Sequence, residues 1–166
     1  MWRRLLGVPV LSFPTDRIVG TLDWDTSWEE AGGPVFARGE VQVPDGDVGL
    51  TVQAVTEVGS AEGGSWWSQP SSIPVDLGFL RDFPVDGLRS LTVASAVEES
   101  MQAVAHLAPG LRRLTLAFTG FGDAVLPSVA ALTGLMLLQT FGNAFSDGGV
   151  QVLAARTRLA GVRVDE

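Results

Sequence analysis

The chain has no cysteine, no tyrosine, no lysine and a single histidine, His106, among its 166 residues. Without cysteine there is no disulfide framework, no CxxC zinc site and no thiol nucleophile, and a cytoplasmic setting is expected. One histidine cannot build a multi-histidine metal site or a paired-histidine acid-base centre. With lysine absent, all eleven basic residues are arginine; they face nineteen Asp and Glu, for a net charge of −8. The deficit of positive charge is greater in residues 1–75, with ten acidic residues against four arginines, than in residues 76–166, with nine against seven. Such a field repels phosphate backbones and no arginine stripe offsets it, so nucleic acid is not an expected partner. No apolar run reaches the roughly 18 residues of a membrane-spanning helix, and even AVLPSVAALTGLMLL is broken by Pro127, so no membrane contact is expected. The opening MWRRLLGVPVLSF starts positive and turns apolar, but Pro9 interrupts it and no small-residue cleavage pattern follows. It reads as a first strand or cap rather than a secretory leader.

What is present is an ordinary globular composition, 46% apolar and 18% charged, on a length suited to one domain. Within it one phrase recurs. LRSLTV at Leu88, LRRLTL at Leu111, LMLLQT at Leu135 and LAGVRV at Leu159 follow one another at spacings of 23, 24 and 24 residues. Each of the first three is followed by a second shared phrase that is apolar, then polar or acidic, then helix-like. A short strand alternates inward and outward, so Leu114 and Leu116 are expected in a core. Helical spacing then predicts apolar faces at Met101, Val104 and Leu107, at Val125, Val129 and Leu132, and at Val150 and Leu153. One strand and one helix cannot bury both apolar faces alone; stacking successive units does.

These phrases resemble the leucine-rich repeat family, in the variety with convex-side helices found in ribonuclease-inhibitor-like and bacterial repeat proteins. The resemblance implies an α/β fold over residues 76–166, a short solenoid with parallel strands on the concave face and helices on the convex face. The family's polar position after the strand falls on Thr119 and Asn143, whereas Ser95 or Ala96 stands there in the first unit. Asp123 and Asp147 occupy helix starts, which is consistent with capping. Thr140 stands where a buried Leu or Val is expected, and a small polar side chain there must be hydrogen-bonded or left unpaired at some cost.

Residues 1–75 do not join this register. Turn signals such as GGP and PDGD separate the strand-like segments RIVGTLDW, VFARGEVQV and VGLTVQAV, which together predict an N-terminal β-rich capping region over the first repeat. VGLTVQAV itself can serve as a first rung. The stretches FPTDRIVGTL and ARGEVQVPDGD resemble leader segments ahead of such repeats in some bacterial proteins. At the other end, VRVDE falls on a strand edge, which either its charges blunt or a second copy covers; a homo-oligomer through this C-terminal edge is a further expectation.

Chemical groups are sparse. His106 is read as a helix-end residue placed favourably against the helix dipole. Glu98 and Glu99 read as a helix first turn, while Asp23 and Asp25, and Glu29 and Glu30, read as solvated loop residues; adjacency in sequence does not supply a glycosidase geometry. PDGDVGL and DWDTSWEE lack calcium-ligand spacing, and the glycine-rich stretches lack a P-loop lysine. An enzyme is not expected, nor is any cofactor or bound metal.

Two features suit recognition instead. The outward strand positions are Ser90, Thr92 and Ala94; Arg113, Thr115 and Ala117; Leu137, Gln139 and Phe141; and Gly161, Arg163 and Asp165. Side chains on neighbouring strands stand about 5 Å apart, so these make one surface. The second feature is GGSWWSQPSS, where adjacent strand residues Trp66 and Trp67 would face opposite ways, one toward the core and one free. Trp24 and Trp28 carry the same choice between packing and stacking. The expected function is non-enzymatic binding of another protein through the concave face, with Thr92, Arg113, Thr115, Gln139, Phe141, Arg163, Trp66 and Trp67 as candidate contacts. The alternative is carbohydrate or cell-envelope binding by exposed tryptophans of the N-terminal region.

Overall fold

Leucines recurring every 23 or 24 residues stack on one another only if successive strands run parallel with a constant offset, and they do. The computed structural model describes residues 4–5, 8–24, 33–60, 66–70, 72–156 and 159–165. In chain order the strands are β1 (Arg4–Leu5), β2 (Val8–Ser12), β3 (Ile18–Asp23), β4 (Val35–Phe36), β5 (Glu40–Gln42), β6 (Gly49–Ser60), β7 (Trp66–Pro70), β8 (Ser90–Val93), β9 (Arg113–Ala117), β10 (Leu137–Phe141) and β11 (Gly161–Asp165). The main sheet runs β11-β10-β9-β8-β6-β3-β4, with β7 also paired to β6. From β11 to β6 every pairing is parallel, whereas β3, β4 and β7 are antiparallel to their neighbours. A separate small sheet is ordered β1-β2-β5. The architecture is thus mixed α/β with a mostly parallel sheet and no closed barrel.

The register converts the sequence period into rows. Leu50, Leu91, Leu114, Leu138 and Val162 stand opposite one another in turn, and so do Val52, Val93, Leu116, Thr140 and Val164. From Leu50 to Thr140 these inward side chains are buried. VGLTVQAV accordingly lies where it was expected, beside the first LxxLxL strand. Immediately before each strand a backbone chain runs sideways: Arg89 N donates to Val48 O, Arg112 N to Arg89 O, Met136 N to Arg112 O and Ala160 N to Met136 O. Arg89 and Arg112 each also reach the next unit, donating to the carbonyls of Gly110 and Gly134 at 3.1 and 2.9 Å.

Helical segments cross back over the buried face. They are the 3-10 helices η1 (Leu77–Asp82), η2 (Glu98–Leu107) and η3 (Asp123–Val125) and the α-helices α1 (Leu126–Ala130) and α2 (Asp147–Arg156). The α-helical spacing expected in the first unit is corrected here. Met101, Val104 and Leu107 are three residues apart, which lines them up at three residues per turn, and η2 is a 3-10 helix along its whole length. Val125, Val129 and Leu132 are spaced by four and then three; Val125 falls on η3, Val129 on α1 and Leu132 just beyond the end of α1. All six are buried, as is Leu153, whereas Val150 is only half-buried.

Residues on either side of position 75 share this sheet and one core, which extends from Leu11 and Phe13 to Leu153. Phe13, next to β2, meets Phe79 and Phe83 with ring centroids 5.6 and 5.2 Å away, joining the small sheet to η1. Among the described residues, no helix is long and apolar enough to cross a membrane.

The glycines that end the crossovers are fixed by close approach. A Cβ at Gly110 would collide with the Val85 carbonyl, and one at Gly134 with the Pro109 carbonyl. Gly148 differs, since its nearest neighbour would be Ser146 Oγ at 3.9 Å. Gly110→Ala should therefore lower unfolding stability by about 1–3 kcal/mol, as overpacking does. Gly148→Ala should leave it unchanged or raise it by up to about 1 kcal/mol, through helix propensity. Urea unfolding of both variants beside the wild type checks the contrast.

Candidate functional site

Period-two alternation sends every second residue of a strand away from the core, and the register lines these residues up across the sheet. One row reads Thr21, Thr51, Thr92, Thr115, Gln139 and Arg163. A second reads Gly49, Ser90, Arg113, Leu137 and Gly161. A third holds Ala117, Phe141 and Asp165. Six expected contact residues, Thr92, Arg113, Thr115, Gln139, Phe141 and Arg163, thus share one face, opposite the helices. The threonines, Gln139 and Phe141 are half-buried by their neighbours, and the two arginines are exposed. Thr115 Oγ1 lies 3.4 Å from Gln139 Oε1. Arg113 Nη2 is 3.9 Å from Asp47 Oδ2, an exposed pair that adds little to stability.

Trp66 and Trp67 do not join them. They open β7, a strand paired with β6, opposite Ser60 and Gly59. That is at least eight residues farther along β6 than Thr51, roughly 26 Å at strand rise. Trp24 packs partly buried against the core. Trp28, with Asp25, Glu29 and Glu30, lies outside the described residues.

Phe118 is the residue that alternation misses. Leu114 and Leu116 point inward, so the same period sends Phe118 inward too. Instead its φ is 55°, and its side chain is 80% exposed. The left-handed conformation is uncommon for a bulky aromatic residue and costs about 1–3 kcal/mol. Its amide donates to Phe141 O at 2.6 Å, and its ring stands where a Cβ on Gly142 would be, so Gly142, itself at φ 59°, cannot carry a side chain. Phe118 and Phe141 thus place two aromatic side chains at the carboxyl ends of adjacent parallel strands.

Beyond those ends the polar positions tie unit to unit. Thr119 Oγ1 donates to Asn143 Oδ1, and Asn143 Nδ2 donates to Leu116 O at 2.9 Å and Phe141 O at 3.1 Å. Backbone bridges add to these ties, with Val75 opposite Ala96 and Gly122 opposite Ala144. Asp123 is corrected from cap to crosslink. It makes no capping bond to its own helix; its carboxylate accepts from Ser146 N at 2.8 Å and from Ser146 Oγ. Ser146 Oγ in turn accepts from Gly149 N at 3.0 Å and so caps α2, where Asp147 holds the first turn. Glu98, in the first turn of η2 as expected, accepts from Gly122 N at 3.1 Å. Ser100 Oγ accepts from Leu77 N at 3.0 Å. His106 sits in the last turn of η2, its Nε2 2.9 Å from the Phe83 carbonyl, so Nε2 carries a proton and donates. Among the described residues no group of three or more His, Asp or Glu is placed to hold a metal ion.

No protein-family model, curated protein sequence or solved structure matches the chain.

The two bonds from Ser146, the hydroxyl first and the amide second, hold the Asp123 carboxyl below its ordinary pKa. A depressed folded-state pKa stabilises the protein above the unfolded value, and that contribution is lost as pH falls through the folded one. Ser146→Ala should move the Asp123 midpoint upward in an NMR titration of its side-chain carbon, toward the usual value near about 4. In Asp123→Asn the part of the acid destabilisation that begins below about pH 4 and belongs to this residue should be absent from thermal melts.

Proposed function

We propose that the chain is a leucine-rich-repeat-like array acting as a non-enzymatic interaction module, which binds another protein through the sheet face opposite its helices. The observation that supports this most directly is the register. Thr92, Thr115, Gln139 and Arg163 form one uninterrupted row across four parallel strands, beside Arg113 and Phe141. A surface whose polar groups stand at fixed strand spacing is preorganised, which reduces the ordering cost of association. The exposed Phe118 beside Phe141 supplies the aromatic anchor that such interfaces concentrate their energy in. Acidic balance favours a protein partner over a phosphate backbone. A cytoplasmic setting and a bacterial source belong to the same reading.

The test is affinity capture from the source lysate with quantitative mass spectrometry, using wild type, a Phe141→Asp/Gln139→Arg double variant and Trp67→Ala, each first shown folded by its melting curve. A protein retained by wild type and by Trp67→Ala but lost by at least about tenfold in the double variant is the expected result. Equal retention by wild type and the double variant removes the sheet face from consideration. Loss confined to Trp67→Ala turns the question to carbohydrate binding in the N-terminal region.

A further inference from the structure

The helical side of the molecule carries a groove that the proposed sheet-face function does not use. It lies between α1 and α2, has a volume of about 270 Å³, and is lined by Asp123, Leu126, Pro127, Ala130, Gly148, Gly149, Val152 and Leu153. Its walls are residues four apart on facing helices, Leu126 and Ala130 on one side, Gly148 with Val152 and Gly149 with Leu153 on the other, and such pairs share a helix face. The glycines create the space. Gly149 lets α2 close onto Asp123 and Leu126, where a Cβ would come within 2.6 and 2.7 Å of their side-chain atoms. Gly148 leaves the wall beside it bare, and Val152 remains 53% exposed to solvent there.

We propose that this groove is a docking site for a partner segment bearing an aliphatic side chain flanked by arginine or lysine. The space fits the side chain: an apolar cavity of about 150 Å³ already holds a benzene-sized group, so this one takes a leucine or isoleucine with part of its neighbour. Charge selects the flanks. Among the described residues Asp123 is the only charged one in the lining, Asp147 stands exposed in the adjoining first turn of α2, and Glu99 holds the corresponding place in η2. The arginine of α2, Arg156, is at the helix's opposite end. Asp123 keeps its charge to low pH because Ser146 donates to both of its oxygens, and each oxygen retains a further lone pair for an incoming donor. A cationic flank is attracted and an acidic one repelled, on a chain whose net charge of −8 adds to the same field.

The test is an amide NMR titration of the full chain with two synthetic peptides, one with a central leucine between arginines and the other with glutamates in their place. Shifts confined to residues 123–130 and 147–153, with the arginine peptide bound at least about tenfold more tightly than the glutamate peptide and more weakly as salt rises, are expected. Gly148→Leu fills the groove from a position that accepts a side chain, and Val152→Arg places a cation at an exposed one; with melting curves showing both folded, each should weaken the arginine peptide by about tenfold or more. Equal binding of both peptides, unchanged binding by the filled variant, shifts elsewhere, or no shift at millimolar peptide overturns the proposal. So does sedimentation showing that the wild type self-associates and Gly148→Leu does not, which assigns the groove to a second copy.

Discussion

Leucine stacked on leucine across parallel strands is the constraint on which the rest of this molecule depends. Leu50, Leu91, Leu114 and Leu138 occupy one row although the first two are separated by 41 residues of chain and the later pairs by 23 and 24. Connection length therefore does not set the register. The inward apolar row does, because a slip of one residue would turn every inward side chain to the solvent face. The long first connection can hold β7 and η1 without disturbing the array, since only its last residues need to return to the row. Removing one of these fully buried leucines would cost about 2–5 kcal/mol and would loosen two neighbouring strands together.

Apolar rows specify spacing along the strand but hold the ends of each unit poorly, and polar contacts take over there. Glu98, Asp123 and Ser100 each accept a backbone amide from an adjacent segment, and Asn143 satisfies two carbonyls at the strand ends. A buried amide or carbonyl left without a partner costs about 1–3 kcal/mol, so the part-buried contacts of Glu98, Ser100 and Asn143 matter more for what their absence would leave unpaired than for their own strength, whereas water can replace Ser146 at the exposed Asp123. Thr140 is the one polar side chain in the buried row.

The legible part of this fold was periodic. The repeated LxxLxL phrase was enough to place four strands, their inward and outward faces and the order of candidate contact residues, because leucine spacing and strand pleat are both properties of the chain itself. Helix type was legible only in retrospect, from the intervals of three at Met101, Val104 and Leu107. Asp123 was misread as a cap because its location at a helix start has two outcomes, and the choice depends on Ser146, which arrives one unit later. Phe118 was missed for a different reason. Alternation assigns it inward, and only the backbone reversal at φ 55° exposes it; nothing in LAFTG distinguishes that conformation from a sixth strand residue. The antiparallel strands β3 and β4 continue the same sheet beyond β6; the expected β-rich region gave no sign of this, since edge-to-edge pairing follows backbone hydrogen bonding and leaves no mark in side-chain periodicity.

The outward face changes character along the sheet, and this bears on how it can bind. From β3 to β9 the middle row is threonine four times over, short and β-branched, so the surface there is low and uniform. Over β10 and β11 it becomes Gln139 and Arg163, longer and more adaptable, with Phe118 and Phe141 rising at the strand ends. Free energy in protein contacts concentrates where a large apolar group is desolvated within a polar surround, so a partner on the proposed surface would be held at this end and merely accommodated at the other. The strain at Phe118 belongs to the same logic. A backbone conformation costing about 1–3 kcal/mol survives when the surrounding structure over-determines it. Here the Phe141 carbonyl and the bare Gly142 do so, and what they hold in place is an aromatic ring that makes no contribution to the core.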